Sequence, residues 1–111
     1  MKNLESRIQQ SIISYHRLQY PRVPIFAIPN GGARSPITGA ILKAEGVMRG
    51  VADLFVMCNG GIFVEVKTEA GRQSPEQKHF QSLCAERGFA YFVCRSVTDY
   101  DEQVSPLITK P

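Results

Sequence analysis

Between Gly50 and Lys67 the chain reads G-V-A-D-L-F-V-M-C-N-G-G-I-F-V-E-V-K, two apolar, β-branched and aromatic runs flanking Asn59-Gly60-Gly61. That composition predicts a β-hairpin. Strand side chains alternate between faces, so the same pattern predicts a register. A three-residue loop sets Cys58 opposite Ile62, Val56 opposite Val64 and Leu54 opposite Val66, which makes one wholly apolar face. The other face then pairs Met57 with Phe63, Phe55 with Glu65 and Asp53 with Lys67. A two-residue loop would set Leu54 against Glu65 and mix charge into the apolar face.

Outside the hairpin the period is mostly that of helices. Asn3 is placed to cap a first helix whose buried stripe is Leu4, Ile8, Ile12 and Tyr15. Glu5 falls on the edge of that stripe beside Ile12. Its carboxylate either leans over a site or simply favours the positive helix N terminus, and the second is the simpler reading. His16 lies in the last turn, where a cation is mildly favoured. Residues 25–28 read as a short strand, and P-N-G-G after them as a glycine-rich loop without the Walker-type phosphate pattern. Ser35-Pro36 opens a second helix, with Ile37, Ile41 and Ala44 facing inward and Gly46 as terminator.

Beyond Lys67, a polar connection leads to S-P-E-Q at residues 74–77, the capping box of a third helix that carries Phe80, Leu83 and Cys84 and closes at Gly88. Gln77 also points along that helix's buried stripe, so capping and site-facing roles are both open to it. Residues 89–94 form the last strong strand. Ser96 caps a final helix to about Val104, and residues 106–111 read as a frayed tail. The order predicts an α/β protein in one domain over residues 1–111, with a central mixed four-stranded sheet and helices on both faces. Four strands leave the sheet with exposed edges or completed by a partner.

Composition narrows the class. Apolar residues make up 43% and charged residues 21%, as in ordinary globular proteins, and the longest apolar runs are only strand-sized, which argues against a membrane span. The N terminus lacks the apolar core of a secretory signal. Cys58, Cys84 and Cys94 sit in apolar patterns without C-x-x-C spacing, as expected for reduced core thiols in the cytoplasm rather than a disulfide frame or zinc site. The net charge of +3 is unevenly spread: residues 1–50 carry seven Lys/Arg against two Glu, and the remainder six against eight acidic residues. Arg34, Lys43 and Arg49 in the basic half, with Arg72 after the hairpin, are candidates for phosphate contact.

The chemistry concentrates on one face of the hairpin. Asp53, Glu65 and Lys67 are charges at the ends of otherwise apolar strands, where they are costly unless paired or holding a metal. Two carboxylates suit a hard cation such as Mg²⁺. A lysine two residues after the second carboxylate shares its face, where it can orient a water or stabilise charge on a phosphate. An isolated Glu-x-Lys pair would be no more than a solvated strand end; Asp53 in register with it favours a metal site.

G-V-A-D-L, then E-V-K after a hairpin turn, then S-P-E-Q opening a helix, resemble the PD-(D/E)xK nuclease superfamily and, within it, the VRR-NUC domains. P-N-G-G and the G-V-x-x-G-V-A-D-L run at residues 46–54 are similar to that family as well, including its small stand-alone phage and bacterial members. The resemblance spans essentially the whole chain and implies a restriction-endonuclease-like core. It implies that Asp53 and Glu65 bind the catalytic Mg²⁺ (Mn²⁺ able to substitute) together with the main-chain carbonyl of Val66. Lys67 would act on the nucleophilic water, Gln77 would support the site from the third helix, and Glu5 would be the acidic residue supplied by the first helix. The proline of the superfamily's name is Ala52 here, a departure that touches no ligand. The implied activity is metal-dependent hydrolysis of DNA phosphodiesters. The chain shows no zinc finger, added helix-turn-helix or aromatic stacking stripe, so selectivity for branched DNA is expected over sequence-specific cutting. Stand-alone members resemble junction-resolving homodimers. The alternative is a DNA-binding module that has kept the fold without cleavage.

Overall fold

The computed structural model of the chain describes residues 4–29 and 36–109. Four strands form one sheet in sequence order: β1 (Ile25–Ala27), β2 (Leu54–Val56), β3 (Ile62–Val66) and β4 (Ala90–Cys94). β1 pairs antiparallel with β2 and β2 with β3, and β4 is parallel to β3 after a helical crossover, α3 (Pro75–Arg87). Alternation divides the side chains of this sheet between two different faces. Ile25, Leu54, Val56, Ile62, Val64, Val66 and Cys94 are buried on one, under Ile12 of α1 (Leu4–Gln19), Tyr100 of α4 (Val97–Gln103) and Val104. The other carries Phe26, Phe55, Phe63 and Tyr91, with Phe80 of α3 packed edge-on to Phe63 at 5.0 Å between ring centroids. Helices therefore cover both faces, as the pattern predicts.

The hairpin has the predicted face but not the predicted register. Leu54 pairs with Val64, Phe55 with Phe63 and Val56 with Ile62, a shift of two residues from the expected pairing. Hydrophobic alternation specifies only whether the shift is odd or even, because a two-residue slip returns every side chain to its own face. The turn decides the rest. Asn59 and Gly60 both have positive φ (49° and 78°), and the Gly61 N–H closes the turn onto the Cys58 carbonyl at 2.8 Å. That is the geometry of a primed two-residue turn, set inside a five-residue connection. Gly61 then lies under Phe55: a Cβ there would come within 2.7 Å of the ring.

The helices depart from expectation at their apolar stripes. The stripe of α1 meets the core from Ile8 onward, and Leu4 is 45% exposed; Asn3 lies outside the described residues. His16, in a last turn where a cation is mildly favoured, is instead fully buried. Its Nε2–H donates to the Val23 carbonyl at 2.7 Å, while Nδ1 lies 2.6 Å from the Tyr100 hydroxyl. Burial lowers its pKa from the ordinary value, so it is held as the neutral imidazole. α2 (Pro36–Ala44) ends as predicted. Gly46 takes φ 101°, its N–H bonds to the Lys43 carbonyl and that of Val47 to Leu42, a Schellman closure. Its expected inner residues Ile41 (53% exposed) and Ala44 nevertheless face solvent. The Ser35 cap and most of the P-N-G-G loop lie outside the described residues.

At the C terminus α4 keeps its Ser96 cap, and the predicted frayed tail is instead a short helix, α5 (Ser105–Thr109). Val104 and Ser105 are buried, Leu107 and Ile108 pack against the core, and the Leu107 carbonyl accepts from Asn59 in the hairpin turn. The sheet also assembles what linear spacing conceals: Phe26, Phe55, Phe63, Phe80 and Tyr91 touch in sequence across it, so an aromatic row exists after all. Among the described residues no helix is long and apolar enough to cross a membrane.

Candidate active site

Glu65 is the centre of the site. It points to the α3 side of the sheet at 1% exposure, in the middle of an otherwise apolar strand. Continuing the hairpin register by one residue places Asp53, not Phe55, across from it. The Asp53 carboxylate accepts from the Val66 N–H at 2.7 Å, and the Asp53 carbonyl accepts from Ile28, which fixes the carboxylate at the mouth of the hairpin. In a strand, the N–H and C=O of one residue point to the same edge, so the Val66 carbonyl is directed towards Asp53 as well. The N–H of Lys67, one residue on, bonds to Cys94 on the opposite edge.

Two donors meet one oxygen of Glu65. Gln77 Nε2 lies 2.8 Å from Oε2, and the ammonium of Lys67 lies 3.9 Å from the same atom. Oε1 is buried without a hydrogen-bond partner. Gln77 resolves its two possible roles by performing both. Its Oε1 accepts from the Ser74 N–H at 2.8 Å, completing the capping box, while Nε2 reaches into the site. The helix cap thus aims the side chain. Gly50 sets how closely the two elements approach. It has φ +88°, and a Cβ there would lie 2.3 Å from the Glu76 carbonyl, so the residues leading to Asp53 pass directly against the N terminus of α3.

Desolvation pushes the Glu65 carboxyl up to about 9. Asp53 adds to the shift, Lys67 opposes it, and Glu5 contributes a smaller upward push. Glu5 is exposed in the first turn of α1, within electrostatic reach of Glu65. Among the described residues no group of three or more His, Cys, Asp or Glu side chains converges as a ready-made metal site. The donors brought together are two carboxylates and a main-chain carbonyl. Tyr91, on the same face of the neighbouring strand, accepts from Gln73 at 3.1 Å, and burial followed by Glu65 raises its hydroxyl pKa.

The basic candidates are dispersed. Arg49 is 86% exposed beside α3, its guanidinium 4.0 Å from Glu76. Lys43 and Arg72 are exposed, and Arg34 lies outside the described residues. Sequence reading did not single out Gly50 or Ser74 as residues that shape the site. A glycine just before the first carboxylate and a capping serine just before Gln77 were the available signals.

Residues 3–98 match the family model of the VRR-NUC domain. The chain belongs to that family. A solved structure described as a VRR_NUC domain protein has the same fold, with a TM-score of 0.76 at 19% identity, covering 94% of this chain and 87% of that one. No curated protein matches it. The VRR-NUC domain is a nuclease-type domain with DNA as its substrate, and its matched span contains Asp53, Glu65, Lys67 and Gln77.

Proposed function

We propose that this VRR-NUC domain is a divalent-cation-dependent endodeoxyribonuclease of the PD-(D/E)xK type, selective for branched DNA such as four-way junctions and acting as a homodimer. The observation that carries the reading is the Glu65 carboxyl. It is buried, with no donor reaching one oxygen, the other shared by Lys67 and Gln77, and the Asp53 carboxylate close enough to push its pKa up further. An unpartnered carboxylate oxygen is costly to bury. A cation supplies what it lacks, and two carboxylates with the Val66 carbonyl are a donor set that suits Mg²⁺ or Mn²⁺.

The bound ion would lend Lewis acidity to a phosphate oxygen and to the attacking water. The protein's own groups do the rest. Gln77 and its cap stop the Glu65 carboxyl from turning away, and the Val66 N–H does the same for Asp53. Lys67, on the same face as Glu65, contributes positive charge where negative charge develops on the scissile phosphate and orients the water. Glu5 adds a carboxylate at the rim. Lys43, Arg49, Arg72 and Arg34 meet the DNA backbone, which gives affinity without sequence preference. A two-fold dimer would present two such sites to a symmetric branched substrate. Exposed apolar side chains at Phe26, Ile41, Val47, Met48 and Met57 offer surface that a second copy can cover.

The test is cleavage of labelled four-way junction, flap, duplex and single strand in Mg²⁺, Mn²⁺ or EDTA, for wild type, Asp53→Ala and Lys67→Ala. Metal-dependent cutting of the junction that both variants lose is the expected result. Equal cutting by the variants would overturn the site assignment. Tight junction binding with no cleavage in any metal would favour a non-cleaving binding module.

A further inference from the structure

We infer that Arg95 is a positioning residue for the Glu65 site, acting through the turn between β3 and α3; the inference rests on the reading of that site proposed above. The connection from Lys67 to Ser74 decides how the two donors to Glu65 Oε2 stand relative to each other. Lys67 immediately precedes it, and Gln77 is fixed by the cap that ends it. Yet the segment has no apolar anchor of its own. Glu69, Ala70 and Arg72 are exposed, and Thr68, Gly71 and Gln73 are half-buried.

Its shape is held by backbone carbonyls turned inward on a single cation. The Gly71 N–H closes the turn onto the Thr68 carbonyl at 3.1 Å. Arg95 Nη1 fills the concave side, donating to the carbonyls of Thr68 and Gly71 at 2.6 Å each and sharing a longer bond, 3.2 Å, with Glu69. The root of this side chain is equally constrained. Arg95 follows Cys94, whose carbonyl accepts from Lys67, and its own N–H donates to Asp99 Oδ2 at 2.8 Å in the capped first turn of α4. Among the described residues no carboxylate lies within ion-pair distance of the guanidinium, so these carbonyls are its partners. All three bonds come from one guanidinium nitrogen, so a lysine ammonium that reaches the turn can replace part of them, though from a more flexible stem. Groups that orient ligands from outside typically change metal affinity or activity by about 10–100-fold.

The test compares full-length wild type, Arg95→Ala and Arg95→Lys, with Arg87→Ala on the exposed last turn of α3 as control. Four quantities are read: Mn²⁺ affinity by calorimetry without DNA, kcat and KM on junction DNA, all at a temperature where circular dichroism shows each variant folded, and Tm. Arg95→Ala is expected to weaken Mn²⁺ binding and lower kcat by about tenfold each with little change in KM, and Arg95→Lys to fall between it and wild type. Arg87→Ala should match wild type. If Arg95→Ala does not fold, Arg95→Met, which keeps an unbranched stem and removes the donors, decides in its place: reduced Mn²⁺ affinity and kcat support the role, and wild-type values refute it. Loss confined to Tm, or to KM, would mark Arg95 as merely structural and overturn the inference. Those outcomes leave the site reading standing. A wild type that neither binds Mn²⁺ nor cleaves would remove both.

Discussion

Glu65→Gln tests the idea that this protein buries a carboxylate for the sake of a cation. The substitution keeps the shape and removes the charge. Gln77 Nε2 can still donate to the side-chain oxygen, and the new amide hydrogens face the Asp53 carboxylate. In the native protein the folded pKa of Glu65 is raised above its ordinary value of 4.5, chiefly by desolvation. Below 4.5 both folded and unfolded chains hold the proton and the group is neutral to stability. As pH rises past that point the unfolded chain ionises while the folded one does not, so stability is lost until the folded pKa is reached. The slope is at most about 1.4 kcal/mol per pH unit, or about 3 kcal/mol between pH 5 and pH 7. For a chain of this length that corresponds to a Tm difference on the order of 10 °C.

The assay is thermal unfolding of wild type and Glu65→Gln at pH 5, 6, 7 and 8 in EDTA, then at pH 7.5 with Mn²⁺. Other titrating groups, His16 among them, are common to both proteins and drop out of the difference. The variant should be the more stable at pH 8, with the gap closing towards pH 5. Mn²⁺ should raise the Tm of wild type alone, by about 2.7 kcal/mol of stabilisation at a hundred times its Kd. Parallel pH curves, or a variant less stable at pH 8, would mean that Lys67 already compensates the Glu65 charge. The argument for a cation would then fail.

His16→Ala should cost about 3 kcal/mol at pH 7.5, because it leaves a cavity and strands the Tyr100 hydroxyl and Val23 carbonyl. The lowered pKa of His16 makes its stabilisation present above 6.5 and lost as pH falls through the folded value. Urea midpoints of wild type and variant should therefore converge below pH 6, and a constant gap would show that His16 charges freely. Gly50→Ala drives a methyl into the Glu76 carbonyl at a positive φ, so denaturation should show a loss of about 3 kcal/mol, with weaker Mn²⁺ binding as α3 shifts. A near-neutral result would mean that the two elements are not closely fitted. Ser74→Ala should cost about 1 kcal/mol as a lost cap and reduce cleavage less than Gln77→Ala, which removes the side-chain half of the capping box and the Glu65 contact together; equal cleavage by the two would deny Gln77 its second role.

What could be read from the linear chain follows from how local each determinant is. Capping by Ser74 and closure by Gly46 and Gly88 depend on residues within a turn of one another, and they occur where the pattern places them. The face shared by Asp53, Glu65 and Lys67 was legible because side-chain alternation is a period-two property that any even slip preserves. The register within that face was not, since it hangs on Gly61 fitting beneath Phe55, a contact across the strand pair. His16, Ile41 and the tail show the other limit. A helical stripe says which residues share a side, while burial depends on what lies opposite. His16 meets Tyr100 from 84 positions away, the helix that carries Ile41 packs on no other element among the described residues, and residues 105–109 form a helix because Leu107 and Ile108 find the core. The site divides in the same way. Glu65, Lys67 and Gln77 carry a motif because their spacing along and just after β3 and at the start of α3 is fixed by backbone geometry. Arg95 has no motif, because its partners are 24 to 27 residues earlier and are carbonyls, which every residue possesses. A residue that recognises backbone rather than side chains leaves no paired signature in the sequence. Positioning groups of this kind therefore have to be sought in the fold, among buried or half-buried cations whose partners are main-chain oxygens.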